Sequence, residues 1–207
     1  EAATALTTGI DNTILGYTAA KGLTTGNYNV ILGADTCNTG TMTGNLNTIV
    51  GFQAARNITS AVENVLIGAS AGDSLTTGGY NTLIGRQAGD GYDTETHNLA
   101  IGVSALGGPV AGGEYNVAIG NYSLDALTSA DKNVAIGYQA GSAITTGGRN
   151  NAVGYQAMDS ATEGEYNQAF GHGALGSLTT GSSNIAIGDG AADGFDTENH
   201  NLAIGLP

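Results

Sequence analysis

Short apolar runs recur along the chain at an almost constant spacing. Each run follows an asparagine, contains two or three apolar residues and ends at a glycine four residues after the asparagine, as in Asn133-Val134-Ala135-Ile136-Gly137. Polar and small residues, chiefly Thr, Ser, Gly and Asn, occupy the stretches between the runs. Short β-favouring runs bounded by glycine are typical of strands that end in tight turns.

The asparagines that open these runs define the repeat. Consecutive ones are 17 residues apart in nine intervals and 18 residues apart in two. This period is too short for a helix and a returning strand, so each repeat is predicted to form one coil of two short strands, stacked on the next coil along an axis. The twelve asparagines are Asn12, Asn29, Asn47, Asn64, Asn81, Asn98, Asn116, Asn133, Asn150, Asn167, Asn184 and Asn201.

The periodicity predicts an all-β protein, a parallel β-roll or β-helix solenoid of about twelve coils of 17 residues. Residues 1–207 are predicted to form one repetitive segment without a domain boundary. The segment Ser74–Gly102 is echoed 103 residues later by Ser177–Gly205, which divides the chain into two halves of six coils, about 1–103 and 104–207. Both ends of the sequence interrupt the pattern, and we expect a fragment of a longer chain.

The repeated asparagine and glycine are predicted to have structural roles. Each asparagine side chain is expected to bond to the next coil or to cap its own turn, so that the twelve form a ladder. Each glycine is expected at a turn where a positive φ or a close backbone approach excludes a side chain. The turn glycines are Gly16, Gly33, Gly51, Gly68, Gly85, Gly102, Gly120, Gly137, Gly154, Gly171, Gly188 and Gly205.

The apolar residues predict both a narrow interior and a second apolar surface. Val134, Ala135 and Ile136 are all apolar although neighbours in a strand point to opposite faces, so both faces must be covered. One face closes over the coil itself, and another copy of the chain is the natural cover for the other. Closed cyclic symmetry is usual for identical chains, and we predict a homotrimer, intertwined or packed. The residue two after the asparagine is Ile or Leu in the first five repeats and Ala afterwards, which predicts a change of packing near Asn98.

Charge and cysteine usage narrow the classes of partner. With 18 acidic and 5 basic side chains the formal net charge is −13, which opposes binding to nucleic acid. No apolar run approaches the roughly 18 residues of a membrane span, so membrane insertion is not expected. Cys37 is the only cysteine, so no disulfide forms within one chain and no metal-binding cysteine spacing exists.

Two acidic turns depart from the repeat and are the candidates for ion binding. They are DGYDTETHN, from Asp90 to Asn98, and DGFDTENHN, from Asp193 to Asn201. Carboxylate oxygens at this density suit calcium, and histidines that meet on a trimer axis suit a transition metal. The alternative is a turn that carries solvated charge, and the prediction is that no cofactor or metal is bound. The candidate residues are Asp93, Glu95, His97, Asp196, Glu198 and His200.

Enzymatic chemistry has no candidate constellation in the sequence. There is no phosphate loop, no nucleophile elbow and no histidine with a consistently placed Asp and Ser, so we predict that the chain is not an enzyme. Acyltransferases on β-helices repeat in hexapeptides, which do not divide a period of 17, and β-helical lyases need carboxylates clustered on one face.

The segment from Asn133 to Gly148, NVAIGYQAGSAITTGG, resembles repeats of bacteriophage tail fibres, especially those of marine phages, which often precede a self-cleaving chaperone domain. It is also similar to the head repeats of trimeric autotransporter adhesins, whose period is shorter. The resemblance covers essentially the whole chain. It implies a homotrimeric parallel β-roll or β-helix that projects from a virion or cell toward a host surface, and it transfers no catalytic residue.

We therefore expect a structural or adhesive fibre segment on a virion tail fibre or an extracellular surface, acting as a shaft or as a host-receptor-binding region. Its expected partners are copies of itself and a host cell-surface glycan or protein. A self-assembling filament is the main alternative, and an ice-binding role ranks lower because the Thr-Thr pairs are adjacent. Tyrosines expected at the surface are Tyr17, Tyr28, Tyr80, Tyr115, Tyr122, Tyr138, Tyr155 and Tyr166.

Overall fold

The computed structural model describes residues 1–108 and 112–206. These residues form a parallel β-solenoid with twelve strands of three residues each. Within these two ranges, no helix has the length and apolar character that crossing a membrane requires. The strands are β1 (Thr13–Leu15), β2 (Val30–Leu32), β3 (Thr48–Val50), β4 (Val65–Ile67), β5 (Thr82–Ile84), β6 (Leu99–Ile101), β7 (Val117–Ile119), β8 (Val134–Ile136), β9 (Asn151–Val153), β10 (Gln168–Phe170), β11 (Ile185–Ile187) and β12 (Leu202–Ile204).

All twelve strands belong to one sheet, in which each strand lies beside its neighbours in the sequence. The pairing is parallel and joins equivalent residues of successive repeats, so that Val134 pairs with Asn151 and Ala135 with Ala152. Because neighbouring strands are about 4.8 Å apart, the sheet is about 53 Å tall. The predicted all-β parallel solenoid of about twelve coils is confirmed.

The prediction of two strands in each coil is wrong. Each coil contains one strand, and the rest of the coil is built from bends and turns. Three positions outside the strand adopt a left-handed backbone conformation, as at Gln139, Gly141 and Arg149, with φ of 53°, 58° and 60°. These residues bend the chain repeatedly and prevent a second extended run. Backbone hydrogen bonds still join this part of the coils, for example from the Thr128 amide to the Thr145 carbonyl at 3.0 Å.

Three columns of inward-facing side chains fill the narrow interior. They come from the middle residue of the strand, from the third residue after the glycine and from the second apolar stripe, as at Ala135, Ala140 and Ile144. Tyr92 replaces the aliphatic residue of the stripe and is fully buried, whereas Phe195 at the equivalent position is partly buried. The repeat therefore encloses a continuous apolar core along its whole height.

The size change of the strand's middle residue is compensated within the same coil. Where that residue is Leu, as at Leu66 and Leu83, the residue six positions later is glycine, and a Cβ on Gly89 would lie 2.7 Å from Leu83 Cδ1. Where it is alanine, the later position often carries a large side chain, as with Ala118 and Leu124. The change expected near Asn98 is thus a change in which side chain fills the core, while strand pairing continues without interruption.

This compensation predicts strong coupling between Leu83 and Gly89. Leu83→Ala alone is expected to cost about 2–5 kcal/mol through a cavity, and Gly89→Leu alone about 1–3 kcal/mol through overpacking. The double variant reproduces the Ala100 and Leu106 combination of the next coil, so we expect the two costs to offset each other by about 1–3 kcal/mol. Urea unfolding of the four proteins measures this coupling energy. Strictly additive costs would show that the two positions do not share one space.

Candidate interaction surface

The repeated asparagines point into the solenoid and bond from coil to coil. The Asn133 side chain donates through Nδ2 to the Gly147 carbonyl at 3.0 Å and accepts at Oδ1 from the Asn150 amide at 2.9 Å. Its own backbone amide donates to Asn116 Oδ1 at 3.0 Å. Ten members are buried, namely Asn29, Asn47, Asn64, Asn81, Asn98, Asn116, Asn133, Asn150, Asn167 and Asn184. Because these amides bond to protein partners inside the core, the ladder presents no ligand site to solvent.

The repeated glycines stand where successive backbones approach closely. Gly137 has a φ of 139°, and a Cβ on it would lie 2.3 Å from the Gly154 carbonyl oxygen. The equivalent φ angles range from 124° to 144° in all twelve coils. Only glycine tolerates both the dihedral angle and the contact with rigid backbone.

The first and third residues of each strand point away from the core and form the outer face of the sheet. The third residue is apolar in every coil, and many of these side chains are exposed, including Ile136 at 38%, Phe170 at 41% and Ile187 at 42%. The third-position residues are Leu15, Leu32, Val50, Ile67, Ile84, Ile101, Ile119, Ile136, Val153, Phe170, Ile187 and Ile204. The first-position residues are Thr13, Val30, Thr48, Val65, Thr82, Leu99, Val117, Val134, Asn151, Gln168, Ile185 and Leu202.

Two further columns border the outer face. The residue before each asparagine forms the leading edge, and all of its members have φ between 56° and 61°. The residue after each glycine forms the trailing edge. The leading edge consists of Asp11, Tyr28, Leu46, Glu63, Tyr80, His97, Tyr115, Lys132, Arg149, Tyr166, Ser183 and His200. The trailing edge consists of Tyr17, Ala34, Phe52, Ala69, Arg86, Val103, Asn121, Tyr138, Tyr155, His172, Asp189 and Leu206.

Aromatic rings stack along both edges. On the leading edge His97 lies between Tyr80 and Tyr115, with ring centroids 4.9 Å apart on each side. On the trailing edge Tyr155 lies between Tyr138 and His172, with separations of 5.3 and 5.4 Å. Rings inside such a stack cover the faces of their neighbours, so a sugar reaches only ring edges and the two terminal faces. The sequence identified the tyrosines but not the stacks, although the shared repeat positions were visible.

Glu95, one of the candidate calcium ligands, turns inward. Its side chain is buried, and Oε2 accepts from the backbone amides of Asp93 and Thr94 at 2.6 and 3.0 Å. Oε1 accepts from the Gly112 amide of the next coil at 2.9 Å. Asp93 accepts a hydrogen bond from the Thr76 hydroxyl. The carboxylate therefore stabilises a turn.

The second acidic turn repeats two of these hydrogen bonds at Glu198. Its Oε2 accepts from the amides of Asp196 and Thr197 at 2.5 and 3.0 Å, and these backbone hydrogen bonds lower the pKa of the Glu198 carboxyl. Asp196 accepts from the Thr179 hydroxyl, and His200 lies exposed on the leading edge. Across residues 1–108 and 112–206, no three His, Cys, Asp or Glu side chains are grouped so as to hold a metal ion. That no cofactor is bound stays a prediction.

Two further polar features are a small cleft and the only cysteine of the chain. A small cleft lined by Asp131, Arg149 and Glu165 opens where Gly148 carries no side chain. Asp131 Oδ1 in this cleft accepts from the Glu114 amide at 2.8 Å, and the Arg149 guanidinium lies over the Tyr166 ring. Burial raises the pKa of the Cys37 thiol, which keeps it protonated and unreactive.

The chain matches no protein-family model, no characterised protein and no solved structure. The similarity to tail-fibre and adhesin repeats therefore rests on the sequence pattern alone.

Three aspartates that stand nine residues after a repeated asparagine are partly buried. This burial raises the pKa of Asp90, Asp125 and Asp159 above the usual range of an aspartate. The negative charges of Asp73 and Asp193 add to the rise at Asp90 and Asp159 respectively. The folded chain therefore binds these protons more tightly than the unfolded chain does.

This shift predicts that Asp125→Asn stabilises the protein at neutral pH. A carboxyl whose pKa is raised by folding stabilises the native state below its unfolded pKa of about 3.9, and this contribution is lost as pH rises through the folded pKa. The variant is expected to gain less than about 1 kcal/mol at pH 7, because the carboxyl remains partly exposed and screened. Thermal unfolding between pH 3 and 7 measures the difference. A gain that is the same at both pH values would contradict the assignment.

Proposed function

We propose that the chain is a structural segment of a fibre that projects from a virion or cell surface, and that it acts there as a homotrimer. In this role it serves as a shaft or as a host-receptor-binding region, without enzymatic activity, nucleic-acid binding or membrane insertion. The observation that carries the proposal is the outer face, which keeps an apolar third position through all twelve strands.

The outer face is large enough to form a stable interface. From edge to edge it spans seven residues, or six Cα–Cα steps of at most about 20 Å in total, and its height is about 53 Å, so its footprint is about 1,000 Å². A typical specific interface buries about 800 Å² on each partner. Contiguous apolar patches of a few hundred Å² already mark interaction sites on soluble proteins.

A second copy of the chain fits this face better than an unrelated partner. The face repeats every strand, at about 4.8 Å, and another copy offers side chains with the same repeat along the same height. A globular partner offers no such periodic surface. Isologous or cyclic association of identical chains is also the commonest form of oligomer.

The width of the outer face favours three copies. Three faces about 20 Å wide that form a triangle place their common axis about 6 Å from each sheet, close to half of the roughly 10 Å that separates packed sheets. Four such faces would leave about 10 Å between each sheet and the axis, more than Val or Ile side chains fill. Three inward-facing sheets therefore form a filled apolar core.

The remaining features support a mechanical role. Each coil contacts only its neighbours, and the buried asparagine amides join every coil to the next. The length of such a solenoid grows by about 4.8 Å with each repeat, so the number of repeats sets the distance between its two ends. A rod of this kind suits a spacer that holds a terminal region away from a surface.

Sedimentation or light scattering tests the proposal through the mass in solution. We expect three times the 20.5 kDa of one chain. Ile119→Asp with Ile136→Asp, on the outer face, is expected to shift the protein to monomers, because six carboxylates would enter an apolar core. The control is Thr146→Asp with Thr180→Asp, at exposed positions outside the face and its edges, which should leave the mass unchanged.

Two results would contradict this function. If the wild-type protein is a monomer at micromolar concentration, the outer face is stable in water without a second copy of the chain. Open-ended polymers that grow with concentration would favour the self-assembling filament.

A further inference from the structure

Basic residues are concentrated on the two edges of the outer face. The chain has five Lys and Arg residues, and three of them lie there, with Arg86 on the trailing edge and Lys132 and Arg149 on the leading edge. The other two are Lys21 and Arg56, which lie outside the face, and Arg56 pairs with Asp73 at 2.9 Å. In an acidic chain this placement puts most of the positive charge beside the proposed interface.

Each of these three cations stands opposite a tyrosine at the same strand. Tyr80 precedes β5 and Arg86 follows it. Lys132 precedes β8 and Tyr138 follows it, and Arg149 and Tyr155 flank β9 in the same way. The members of a pair lie on opposite edges, beyond the roughly 6 Å over which a cation and a ring attract. In the described part of the chain, the cation–π contact that forms is between Arg149 and Tyr166 of the same edge.

We propose that the leading edge of one copy packs against the trailing edge of the next, with the copies parallel, in register and facing a common axis. This inference rests on the proposed function and specifies how its copies meet. Lys132 of one copy then lies against Tyr138 of the next, and the Tyr80 and Arg86 pair forms in the same way, because Tyr80 and Tyr138 stand at the ends of their stacks. Arg149 stays over the Tyr166 ring of its own chain and meets only the edge of the next copy's Tyr155, whose faces are covered by Tyr138 and His172.

Closed symmetry sets the register. Copies that are related by a pure rotation about an axis parallel to the rod are not translated along that axis. The leading edge of one copy and the trailing edge of the next therefore meet at the same strand. At that level no pair brings like charges together, because Asp11, Glu63 and Asp189 lie opposite Tyr17, Ala69 and Ser183. Apolar and aromatic pairs form at other levels, with Leu46 opposite Phe52 and Tyr166 opposite His172.

The arrangement is tested by cross-linking at β11, where Ser183 and Asp189 flank the strand and no cation–ring pair is disturbed. The double variant Ser183→Cys with Asp189→Cys, treated with a short bismaleimide, is expected to give covalent dimers and trimers on denaturing gels. Each single variant is expected to remain uncross-linked, because equivalent residues stand a face width apart. Cys37 is buried and does not react.

The out-of-register control pairs Ser183→Cys with Asn121→Cys, which lies on the trailing edge at β7, four levels away or about 19 Å along the rod. A trimer that cross-links in this control or in the single variants, but not in the matched pair, overturns the edge arrangement and leaves the proposed function intact. A monomeric mass in all variants and in the wild type overturns both.

A second measurement examines the cation–ring pairs themselves. Lys132→Gln is expected to raise the dissociation constant about two- to fivefold for each contact it removes. Lys21→Gln changes the net charge equally but lies outside the face and its edges, so it should leave the dissociation constant unchanged. Equal effects of the two variants would show that only overall charge matters, which contradicts the pairing.

Discussion

Gly137→Ala is expected to break the stack between its coil and the next. The new Cβ would lie 2.3 Å from the Gly154 carbonyl oxygen and 2.6 Å from its carbonyl carbon, and φ at this position is 139°. Both atoms belong to backbone that is held by the neighbouring coil, so neither moves aside without loss of strand pairing. We expect a loss of more than about 4 kcal/mol, among the largest effects of a single substitution.

Circular dichroism during urea unfolding, together with limited proteolysis near the break, measures this loss. The matched control is Gly194→Ala, because a Cβ at Gly194 meets no heavy atom within 4 Å and the φ there is not left-handed. Its effect should remain within about 0.5 kcal/mol. A Gly137→Ala protein that unfolds at the wild-type urea concentration would show that the coils are not packed as closely as described.

Asn150→Ala is expected to give the second large loss. The Asn150 side chain donates to the Gly164 carbonyl at 2.7 Å and accepts from the Asn167 amide at 2.9 Å, all within the core. Removing it leaves a buried donor and a buried acceptor without partners, at about 1–3 kcal/mol each. The expected total is about 2–6 kcal/mol in the free energy of unfolding.

Asn199 provides the control, because it is exposed and lies outside the outer face and its edges. Its Nδ2 donates to the Thr197 carbonyl at 3.1 Å and its Oδ1 accepts from the Ser182 amide at 2.7 Å. Asn199→Ala should cost less than about 1 kcal/mol, because water can bond to the groups that it frees. Equal losses for the two variants would mean that the buried ladder contributes no more than a surface amide bond.

Asn150→Asp distinguishes the hydrogen bond that the side chain accepts from the one that it donates. The carboxylate can still accept from Asn167, but it cannot donate to Gly164 and it places a charge in the core. Its stability should rise as pH falls, because the protonated carboxyl regains a donor. This direction is opposite to ordinary acid denaturation.

The sequence by itself determined the number of coils and their parallel register. The physical reason is that a short, nearly constant period places equivalent residues of successive coils beside one another. Asn12 therefore lies beside Asn29, and Gly16 lies beside Gly33. It also indicated the apolar outer face, because three consecutive apolar residues in a strand cannot all point to one side.

The tertiary structure alone decided the shape of the rest of the coil. The left-handed residues that replace the predicted second strand are chemically varied, as at Gln139, Met158 and Tyr166, and glycine marks these positions in only some coils, as at Gly89 and Gly141. They adopt that conformation because inter-coil hydrogen bonds and core packing outweigh its intrinsic cost.

The burial and the contacts of polar side chains likewise depended on their neighbours in space. Glu95 looked like a surface ligand, yet backbone amides from its own turn and from the next coil surround its carboxylate. The rings of Tyr80, His97 and Tyr115 are 17 or 18 residues apart in sequence and meet only because the coils stack. The spacing places equivalent residues of successive coils in one column, but which donors, acceptors and rings surround a side chain is decided only once the coils lie against one another.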